Sequence, residues 1–344
     1  MIVVMEPRVS EAQIEKVVDY VQSKGLRVNI NRGEHLTVIA VLGDKTKVNS
    51  TSINTFDGVR EVKVIQEPYK LVSKSTHEED TVITFKNGVK LGGLERPVLM
   101  VGPCSVEKDY NGLLQVARAA KEMGCQFLRG GAFKPRTSPY DFQGLEEKGL
   151  EYLAEARKET GLLVVTEIMD TIDIPLVAKY ADVLQVGARN MQNYKMLKAL
   201  GKIENPVMIK RGPAATIREF LLAAEYVVYN GNPNVILCER GVKGFDQDFT
   251  RNTLDIAAVP IIRKYSHLPV IVDPSHGTGK RYLIEPMGKA ALVAGAHGLM
   301  YEVHHDPDHA SSDGAQSLNI EQFKDITKKF NKLIGRIDYD NKNS

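Results

Sequence analysis

The first seventy residues combine short apolar runs with one clear helical repeat. Apolar residues between positions 14 and 21 recur at the spacing of one helix face, after Ser10 as a capping residue and before Gly25 as a stop signal. Apolar strands are predicted at residues 2–5, 26–30, 36–42 and 59–64, with a turn at 31–34 and a weaker helix near 45–55. The order strand-helix-strand-strand-helix-strand is that of the ferredoxin-like split motif.

From Pro97 onwards the pattern changes to a strict alternation of apolar strands and helical repeats. Strands are predicted at residues 98–103, 127–133, 163–168, 183–188, 207–210, 235–239, 270–273 and 299–303, separated by helices such as 113–123, 145–160, 217–229 and 323–334. Eight strand-helix units in about 240 residues match a (β/α)₈ barrel. An open doubly wound sheet is the alternative, but Gly102-Pro103-Cys104 is not the glycine-rich first turn typical of that fold.

These patterns predict an α/β protein in which a small α+β domain precedes a TIM barrel. The expected parts are a ferredoxin-like domain at 1–70, a linker with a small hairpin at 71–96, and the barrel at 97–338. Inside the linker, the hairpin strands at 81–85 and 89–91 flank the turn Lys86-Asn87-Gly88.

Composition and charge narrow the class of protein. The chain has 344 residues, of which 43% are hydrophobic and 26% charged, as in globular and not disordered proteins. Its 45 basic and 43 acidic residues leave a net charge of +2, which does not indicate a nucleic-acid partner. No apolar run reaches the roughly 18 residues of a membrane span, and no signal peptide is visible. Three cysteines cannot form a disulfide framework, so a reducing cytoplasm is the expected location.

Basic residues concentrate at the carboxyl ends of the predicted barrel strands, where barrel enzymes place their chemistry. They are Arg129, Lys134, Arg136, Arg189, Lys210, Arg211 and Arg240. In a nearly neutral protein, such a concentration predicts anionic ligands, because clustered like charges repel each other. Arginine forks pair with phosphate and carboxylate groups, so we expect more than one anionic group in the substrate. The alternative is that some of these residues, Arg211 above all, form ordinary salt bridges.

A second set of strand-end residues mixes sulfur, nitrogen and oxygen donors. Cys104, His276 and Glu302 follow or end strands one, seven and eight, and Asp313 lies in the loop after strand eight. Such a set suits one divalent transition metal, Mn, Fe, Co or Zn, better than Mg or Ca. The alternative is that Cys104 only packs in the core.

The other cysteines and the clustered histidines are interpreted structurally. We expect Cys125 and Cys238 to pack in the core. His297 precedes a strand at the far end of the barrel and is interpreted as structural. Three further histidines are expected in a loop or around the metal site: His304, His305 and His309.

Several motifs resemble those of 3-deoxy-D-arabino-heptulosonate-7-phosphate (DAHP) synthases over essentially the whole chain. They are Gly102-Pro103-Cys104-Ser105, Leu128-Arg129-Gly130-Gly131-Ala132, Lys134-Pro135-Arg136-Thr137-Ser138, Gln185-Val186-Gly187-Ala188-Arg189-Asn190 and Asp273-Pro274-Ser275-His276. The similarity is to the type I beta form with an N-terminal ferredoxin-like regulatory domain. It implies condensation of phosphoenolpyruvate with erythrose 4-phosphate, the first step of the shikimate pathway.

The same resemblance implies roles for individual residues. It assigns the metal to Cys104, His276, Glu302 and Asp313, and phosphoenolpyruvate to Arg129, Lys134, Arg189, Lys210 and Arg240. It assigns the erythrose 4-phosphate end to Arg136, Thr137 and Ser138. Lys134 is the preferred proton donor to the developing alkoxide, with His276 or a water on the metal as alternatives. An aromatic amino acid effector and a homo-oligomer, expected to be a tetramer, complete the implied partners.

Two other functions remain open at this point. A 3-deoxy-D-manno-octulosonate-8-phosphate synthase would use arabinose 5-phosphate, but Arg136 and the N-terminal domain argue against it. A catalytically inactive amino-acid sensor would use the barrel only as a scaffold. The presence of all four metal candidates, including Cys104 and His276, disfavours that alternative.

Overall fold

The computed structural model describes residues 1–33, 36–43, 47–63, 68–134, 138, 140–246 and 248–343, with side chains as far as Ile337. Its residues form two compact units. The first contains Met1–Asp80 together with Lys264–His267, and the second contains Thr81–Arg263 and Leu268–Ser344. The boundary at Asp80 lies inside the stretch predicted as a linker.

The first unit is a four-stranded antiparallel sheet with two helices. Its elements are β1 (Ile2–Met5), α1 (Glu11–Ser23), β2 (Arg27–Arg32), β3 (Thr37–Leu42), α2 (Ser50–Ile53) and β4 (Val59–Lys63). The strand order β2-β3-β1-β4 is that of the predicted ferredoxin-like domain. Helix α1 begins where predicted, because the Ser10 side chain and Gln13 form a capping box. Val17 and Ile39 belong to the core between helix and sheet.

One local prediction in this unit was wrong, and one predicted helix is shorter than expected. Asn31 and Arg32 continue strand β2 and pair with Val38 and Thr37, so the turn begins at Gly33. Polar side chains are common in turns, but they also fit an edge strand with exposed positions, which is what β2 is. The second helix is only one turn long within the described residues, where Asn49 caps it through a hydrogen bond from Thr51 N.

The second unit is a closed barrel of eight parallel strands, with helices between them. It contains β5 (Ile83–Thr84), β6 (Lys90–Leu91), β7 (Val98–Gly102), α3 (Tyr110–Glu122), β8 (Phe127–Arg129), α4 (Glu147–Thr160), β9 (Leu163–Ile168), α5 (Ile174–Tyr180), β10 (Val183–Val186), α6 (Tyr194–Leu200), β11 (Val207–Lys210), α7 (Ile217–Tyr229), β12 (Val235–Glu239), α8 (Ala258–Tyr265), β13 (Val270–Val272), α9 (Pro274–Thr278), α10 (Arg281–Val293), β14 (Gly298–Glu302) and α11 (Ile320–Asn343). Strand β14 pairs with β7 from Gly298↔Val98 to Glu302↔Gly102 and closes the barrel. The predicted TIM barrel is confirmed, and the open-sheet alternative is excluded.

Five barrel strands end earlier than predicted, each at the carboxyl end that faces the mouth, and two of them, β7 and β14, end only one residue early, before Pro103 and Val303. Residues 130–133 leave β8, residues 187–188 leave β10, and Asp273 leaves β13 to cap helix α9. Ala188 begins a short 3₁₀ helix, Ala188–Asn190. Apolar runs alone therefore overestimate the strand length where the chain turns toward the mouth.

The predicted hairpin of β5 and β6 contributes to the barrel core. Ile83, Phe85 and Leu91 are buried together with Met100 and Phe127. The rings of Phe85 and Phe127 meet edge to face, with centroids 5.0 Å apart. The hairpin is thus part of the barrel unit and not a free connection.

Among the described residues, no helix is both long and apolar enough to span a membrane.

Candidate active site

The carboxyl ends of the barrel strands surround a cavity of about 560 Å³. Charged side chains and one imidazole dominate its lining: Lys134, Asp141, Glu167, Arg189, Lys210, Arg240, Lys243, Arg251, His276 and Asp313. Among these described residues, cations outnumber carboxylates. The cavity is therefore suited to a ligand with several negative charges.

Several of these cations reach the cavity because they follow or end a parallel strand. Lys210 is the last residue of β11, and Arg240 comes directly after β12. Arg189 lies in the short 3₁₀ helix after β10. These residues and Lys134 are four of the seven cations predicted at the mouth.

The four predicted metal ligands lie in one group of side chains, which is called the metal cluster below. Their ligand atoms, from Cys104, His276, Glu302 and Asp313, are all within 4.8 Å of one another. Cys104 Sγ donates a hydrogen bond to Asp313 Oδ2 over 3.1 Å, and His276 Nε2 lies 3.2 Å from Glu302 Oε1. Gly102, two residues before Cys104, has no room for a side chain, since a Cβ there would clash with the carbonyl oxygen of Arg129.

The protonation states of this cluster fit a divalent cation. Burial lowers the pKa of His276, which leaves a neutral imidazole with a free lone pair at neutral pH. Burial opposes ionisation of Glu302 and Asp313, but neighbouring positive groups outweigh it and lower the pKa of both carboxyls. Burial and the nearby Glu302 raise the pKa of the Cys104 thiol to about 12. A bound metal would ionise that thiol.

Hydrogen bonds fix both carboxylates of the cluster. Arg129 Nη1 donates to Glu302 Oε1 over 2.6 Å, and Gln316 Nε2 donates to Glu302 Oε2 over 2.5 Å. Arg251 Nη1 donates to Asp313 Oδ1 over 3.1 Å and to Gln316 Oε1 over 3.2 Å. Partners of this kind orient metal-binding carboxylates. Arg129 itself is buried beneath the cavity and faces Glu302.

Lys134 lies between the metal cluster and the cavity. Its Nζ is 3.1 Å from both the carbonyl oxygen and the sulfur of Cys104. Burial acts to lower the pKa of Lys134, but Cys104 and Glu167 outweigh it and raise the pKa. Lys134 is therefore an ammonium at neutral pH, with a proton available to a ligand in the cavity.

Asp273 connects the metal cluster to a cavity cation. Its Oδ2 accepts hydrogen bonds from Lys210 Nζ over 2.6 Å and from His276 Nδ1 over 2.7 Å. Burial opposes ionisation of this carboxyl, but His276 and Lys210 hold its pKa well below the usual range.

Arg211 forms ordinary salt bridges, which was the alternative to its predicted role as a cation at the barrel mouth. Its Nη1 donates to Glu239 Oε2 and to Asp255 Oδ2, each over 2.8 Å, and its Nε donates to the carbonyl oxygen of Ala215. It is not among the described residues that line the cavity. Two carboxylates already neutralise its charge, so it is no free anion ligand.

Four charged cavity residues were not predicted as site residues. Lys243 and Arg251 belong to the long loop between β12 and α8, and Asp141 belongs to the loop after β8. Strand-end reasoning selects mainly residues close to a strand, so it misses most side chains that a long loop brings back to the mouth. Glu167 ends strand three in the predicted pattern, and that position was the available signal for it.

The remaining predictions concern residues outside the cavity lining or outside the described part of the chain. Arg136 and Thr137, predicted for the aldose phosphate, lie outside the described residues. The Ser138 side chain accepts a hydrogen bond from Tyr140 N. Cys125 and Cys238 are buried, as expected. His297 is also buried, and its Nδ1 accepts a hydrogen bond from Val270 N.

Three further histidines lie in the loop after β14. His304 Nε2 lies 3.5 Å from Glu107, and His305 Nε2 lies 3.2 Å from Asp109. The exposed His309 pairs with Asp306. They are loop residues and do not belong to the group of four candidate metal ligands.

Family models match nearly the whole chain. The DAHP synthetase I family matches residues 80–336. The DAHP synthase ferredoxin-like domain matches residues 1–67.

Curated proteins of two activities are similar to this chain. The phospho-2-dehydro-3-deoxyheptonate aldolase of Thermotoga maritima is 50% identical over 333 residues, which cover 97% of each chain. The 2-dehydro-3-deoxyphosphooctonate aldolase of Syntrophotalea carbinolica is 32% identical over 261 residues, covering 70% of this chain and 92% of that protein. The second relative therefore aligns with a smaller share of the chain and at lower identity.

Two solved structures from Thermotoga maritima share the fold. Its phospho-2-dehydro-3-deoxyheptonate aldolase (DAHP synthase) superposes with a TM-score of 0.77 at 49% identity, covering 98% of each chain. A truncated form of its 3-deoxy-D-arabino-heptulosonate 7-phosphate synthase gives a TM-score of 0.72 at 48% identity, covering 78% of this chain and 98% of that one.

Proposed function

The chain belongs to the DAHP synthetase I family, and from this premise we infer that the protein is a DAHP synthase. It is a transferase that condenses phosphoenolpyruvate with erythrose 4-phosphate and water to give DAHP and phosphate. This reaction is the first step of the shikimate pathway to the aromatic amino acids. The observation that carries the conclusion is 50% identity to a curated enzyme of this activity over 97% of both chains.

We propose that Cys104, His276, Glu302 and Asp313 hold one divalent metal ion, Mn, Fe, Co or Zn. Support comes from the mixed donor set and from the mutual distances within 4.8 Å. When bound, the ion would supply a Lewis acid that polarises the aldehyde carbonyl of erythrose 4-phosphate. The protein residues around it do the remaining work.

The cavity cations would hold the two substrates side by side. We assign the phosphate and carboxylate of phosphoenolpyruvate to Lys134, Arg189, Lys210 and Arg240 in the cavity lining, and to Arg129 beneath it. We assign the phosphate of erythrose 4-phosphate to Arg136, Thr137 and Ser138. Fixed cations lower the entropic cost of bringing two anions together and stabilise charge that develops during the reaction.

The carbon–carbon bond forms when C3 of phosphoenolpyruvate attacks the aldehyde carbon. The aldehyde oxygen becomes an alkoxide, and the Lys134 ammonium is our preferred proton donor, because its Nζ points from the cavity wall toward Cys104. Water then adds to C2, and phosphate leaves from the resulting hemiketal.

The first unit is proposed to control the barrel. Its match to the DAHP synthase ferredoxin-like domain supports an effector-binding role, for which an aromatic amino acid is the expected ligand. We also propose a homo-oligomeric enzyme, expected to be a tetramer, that works in the cytoplasm. Three buried free cysteines agree with a reducing location.

The decisive assay is phosphate release from phosphoenolpyruvate. We expect release that requires erythrose 4-phosphate and that a chelator abolishes. Arabinose 5-phosphate is the matched alternative substrate, since the octulosonate relative aligns with 70% of the chain. Release with arabinose 5-phosphate but not with erythrose 4-phosphate would assign the other reaction.

A further inference from the structure

One buried carboxylate serves both the metal cluster and a cavity cation. Asp273 is fully buried at the end of β13, where its Oδ1 accepts a hydrogen bond from His276 N over 2.9 Å. Its other oxygen, Oδ2, accepts from Lys210 Nζ over 2.6 Å and from His276 Nδ1 over 2.7 Å. Both oxygens of Asp273 therefore have donors, and one oxygen has two.

This arrangement determines which nitrogen of His276 is free. An ionised carboxylate only accepts hydrogen bonds, so the proton of the neutral imidazole is on Nδ1. The lone pair is then on Nε2, which lies 3.2 Å from Glu302 Oε1 inside the metal cluster. Lys210 Nζ is 3.5 Å from His276 Nδ1, and both are donors, so they share Asp273 and do not bond to each other.

We propose that Asp273 is a positioning residue that fixes the Nε2-donating tautomer of His276 and couples this ligand to Lys210 through a shared oxygen. The inference rests on the proposed metal site and goes beyond the proposed ligand set. Lys210 lines the substrate cavity, so a change at Lys210 alters the hydrogen bond that orients a metal ligand. Such carboxylate–histidine–metal arrangements increase metal affinity.

The first test measures Mn²⁺ affinity of the full-length protein without substrates. Asp273→Asn is expected to weaken Mn²⁺ binding roughly 10–100-fold, the usual cost of losing such a partner. Glu167→Gln is the matched control, because it removes one cavity carboxylate that does not contact His276. We expect the control to change the affinity less than about threefold. Equal losses in both variants, or unchanged affinity in Asp273→Asn, would overturn the proposal.

The second test separates the shared oxygen from simple charge repulsion. Lys210→Met is expected to strengthen Mn²⁺ binding, since it releases Asp273 Oδ2 and also removes a positive charge. In the Asp273→Asn background only the charge effect remains, so the gain should be at least about threefold smaller, as a double-mutant cycle measures. The same gain in both backgrounds would show that Asp273 transmits nothing.

A third measurement needs no substitution and covers the case in which Asp273→Asn does not fold. Nitrogen chemical shifts of labelled histidines in the metal-free wild-type protein, assigned through a His276→Gln sample, report the tautomer. We expect a protonated Nδ1 at neutral pH, and a protonated Nε2 on a neutral ring would overturn the proposal. None of these measurements uses the substrates, so failure of the proposed reaction would appear separately, in the phosphate-release assay.

Discussion

The Cys104 side chain is the member of the metal cluster whose chemistry depends most on a bound cation. Its sulfur contacts Asp313 Oδ2 and Lys134 Nζ, each at 3.1 Å, yet its pKa is raised to about 12 by burial and by Glu302. A thiol in that state adds little to a site for anions. Its position is explained if the thiolate forms on a metal ion.

Cys104→Ala is therefore expected to give a folded protein with little bound metal and almost no turnover. Metal content by elemental analysis and phosphate release measure the two effects. Cys125→Ala is the matched control, since it also removes a buried thiol but lies outside the cluster. Activity near the wild-type level after exhaustive chelation of the unmutated protein would contradict the metal hypothesis.

Arg136 tests the assignment of the erythrose 4-phosphate end, which comes from the motif resemblance alone. Arg136→Ala removes a bidentate phosphate partner, with an expected loss of about 1.5–3 kcal/mol, or roughly 10–150-fold in KM. We expect the rise in KM for erythrose 4-phosphate to exceed that for phosphoenolpyruvate. Steady-state kinetics with each substrate varied in turn measure both. Equal damage to both would show that Arg136 does not select the aldose.

Single residues were predictable where one rule decides their place. The strand-end rule brought Cys104, His276 and Glu302 together, because parallel strands in a barrel all end at one mouth. It gave no information on hydrogen-bond partners such as Gln316, which reaches Glu302 from a loop. Those contacts depend on three-dimensional loop paths, which no local pattern encodes.

Strands and helices were predictable from periodicity, and their ends were predictable where a capping residue marked them. Ser10 marks the start of α1, and the strand Leu163–Ile168 matches its apolar run. The prediction extended β8 and β10 too far, because residues such as Ala188 are apolar but turn away into the mouth. Hydropathy reports burial and not backbone direction.

A buried histidine connects two segments of the first unit that are far apart in sequence. His267 Nε2 donates to the carbonyl oxygen of Leu71 over 2.8 Å, and its ring stacks on His77 at 4.4 Å. Burial lowers the pKa of His267 to about 4, with His77 adding to the shift. The folded protein therefore holds this imidazole in the neutral form.

The sign of the pH effect follows from that difference. Above the ordinary histidine pKa near 6.5, both the folded and unfolded states hold His267 neutral, so it adds no pH dependence. As the pH falls from about 6.5 toward 4, only the unfolded state gains the proton, which costs the folded state up to about 3 kcal/mol.

Chemical unfolding at pH 7.5 and 4.5 tests this prediction. The wild type should lose more free energy of unfolding than His267→Gln between pH 7.5 and pH 4.5. The reason is that glutamine keeps a hydrogen-bond donor but does not titrate. His309→Gln, at an exposed position, is the matched control and should show no such shift. A wild-type minus His267→Gln difference that does not change with pH would contradict the assignment.

The order of the two units along the chain was readable from the change of hydrophobic period near Pro97. The boundary between the units was harder to predict, because a hairpin of short strands has the same sequence pattern whether it is a free linker or packed in a core. Ile83 and Leu91 are buried in the barrel core, so the barrel unit begins at Thr81. Only long-range packing distinguishes the two cases.

The first unit supplies none of the described residues that line the active-site cavity, which all belong to the second unit. A chain that begins near residue 78 should therefore remain active. We expect it to lose inhibition by tyrosine or phenylalanine, because the proposed effector-binding unit is then missing. An effector acts only by stabilising one state of the chain over another, and without its binding unit it can stabilise neither.

Steady-state assays of the full-length and shortened proteins, with and without each amino acid, measure the predicted loss. A DAHP synthase of Thermotoga maritima that lacks part of its chain has a solved structure covering 78% of this sequence, so a protein of that length is a realistic sample. A shortened protein that is active and still inhibited would place the effector site in the barrel. If the full-length enzyme ignores tyrosine, phenylalanine, tryptophan, chorismate and prephenate, the first unit has no feedback role. A role of this unit in assembly would then remain, and the oligomeric state of the shortened protein would reveal it.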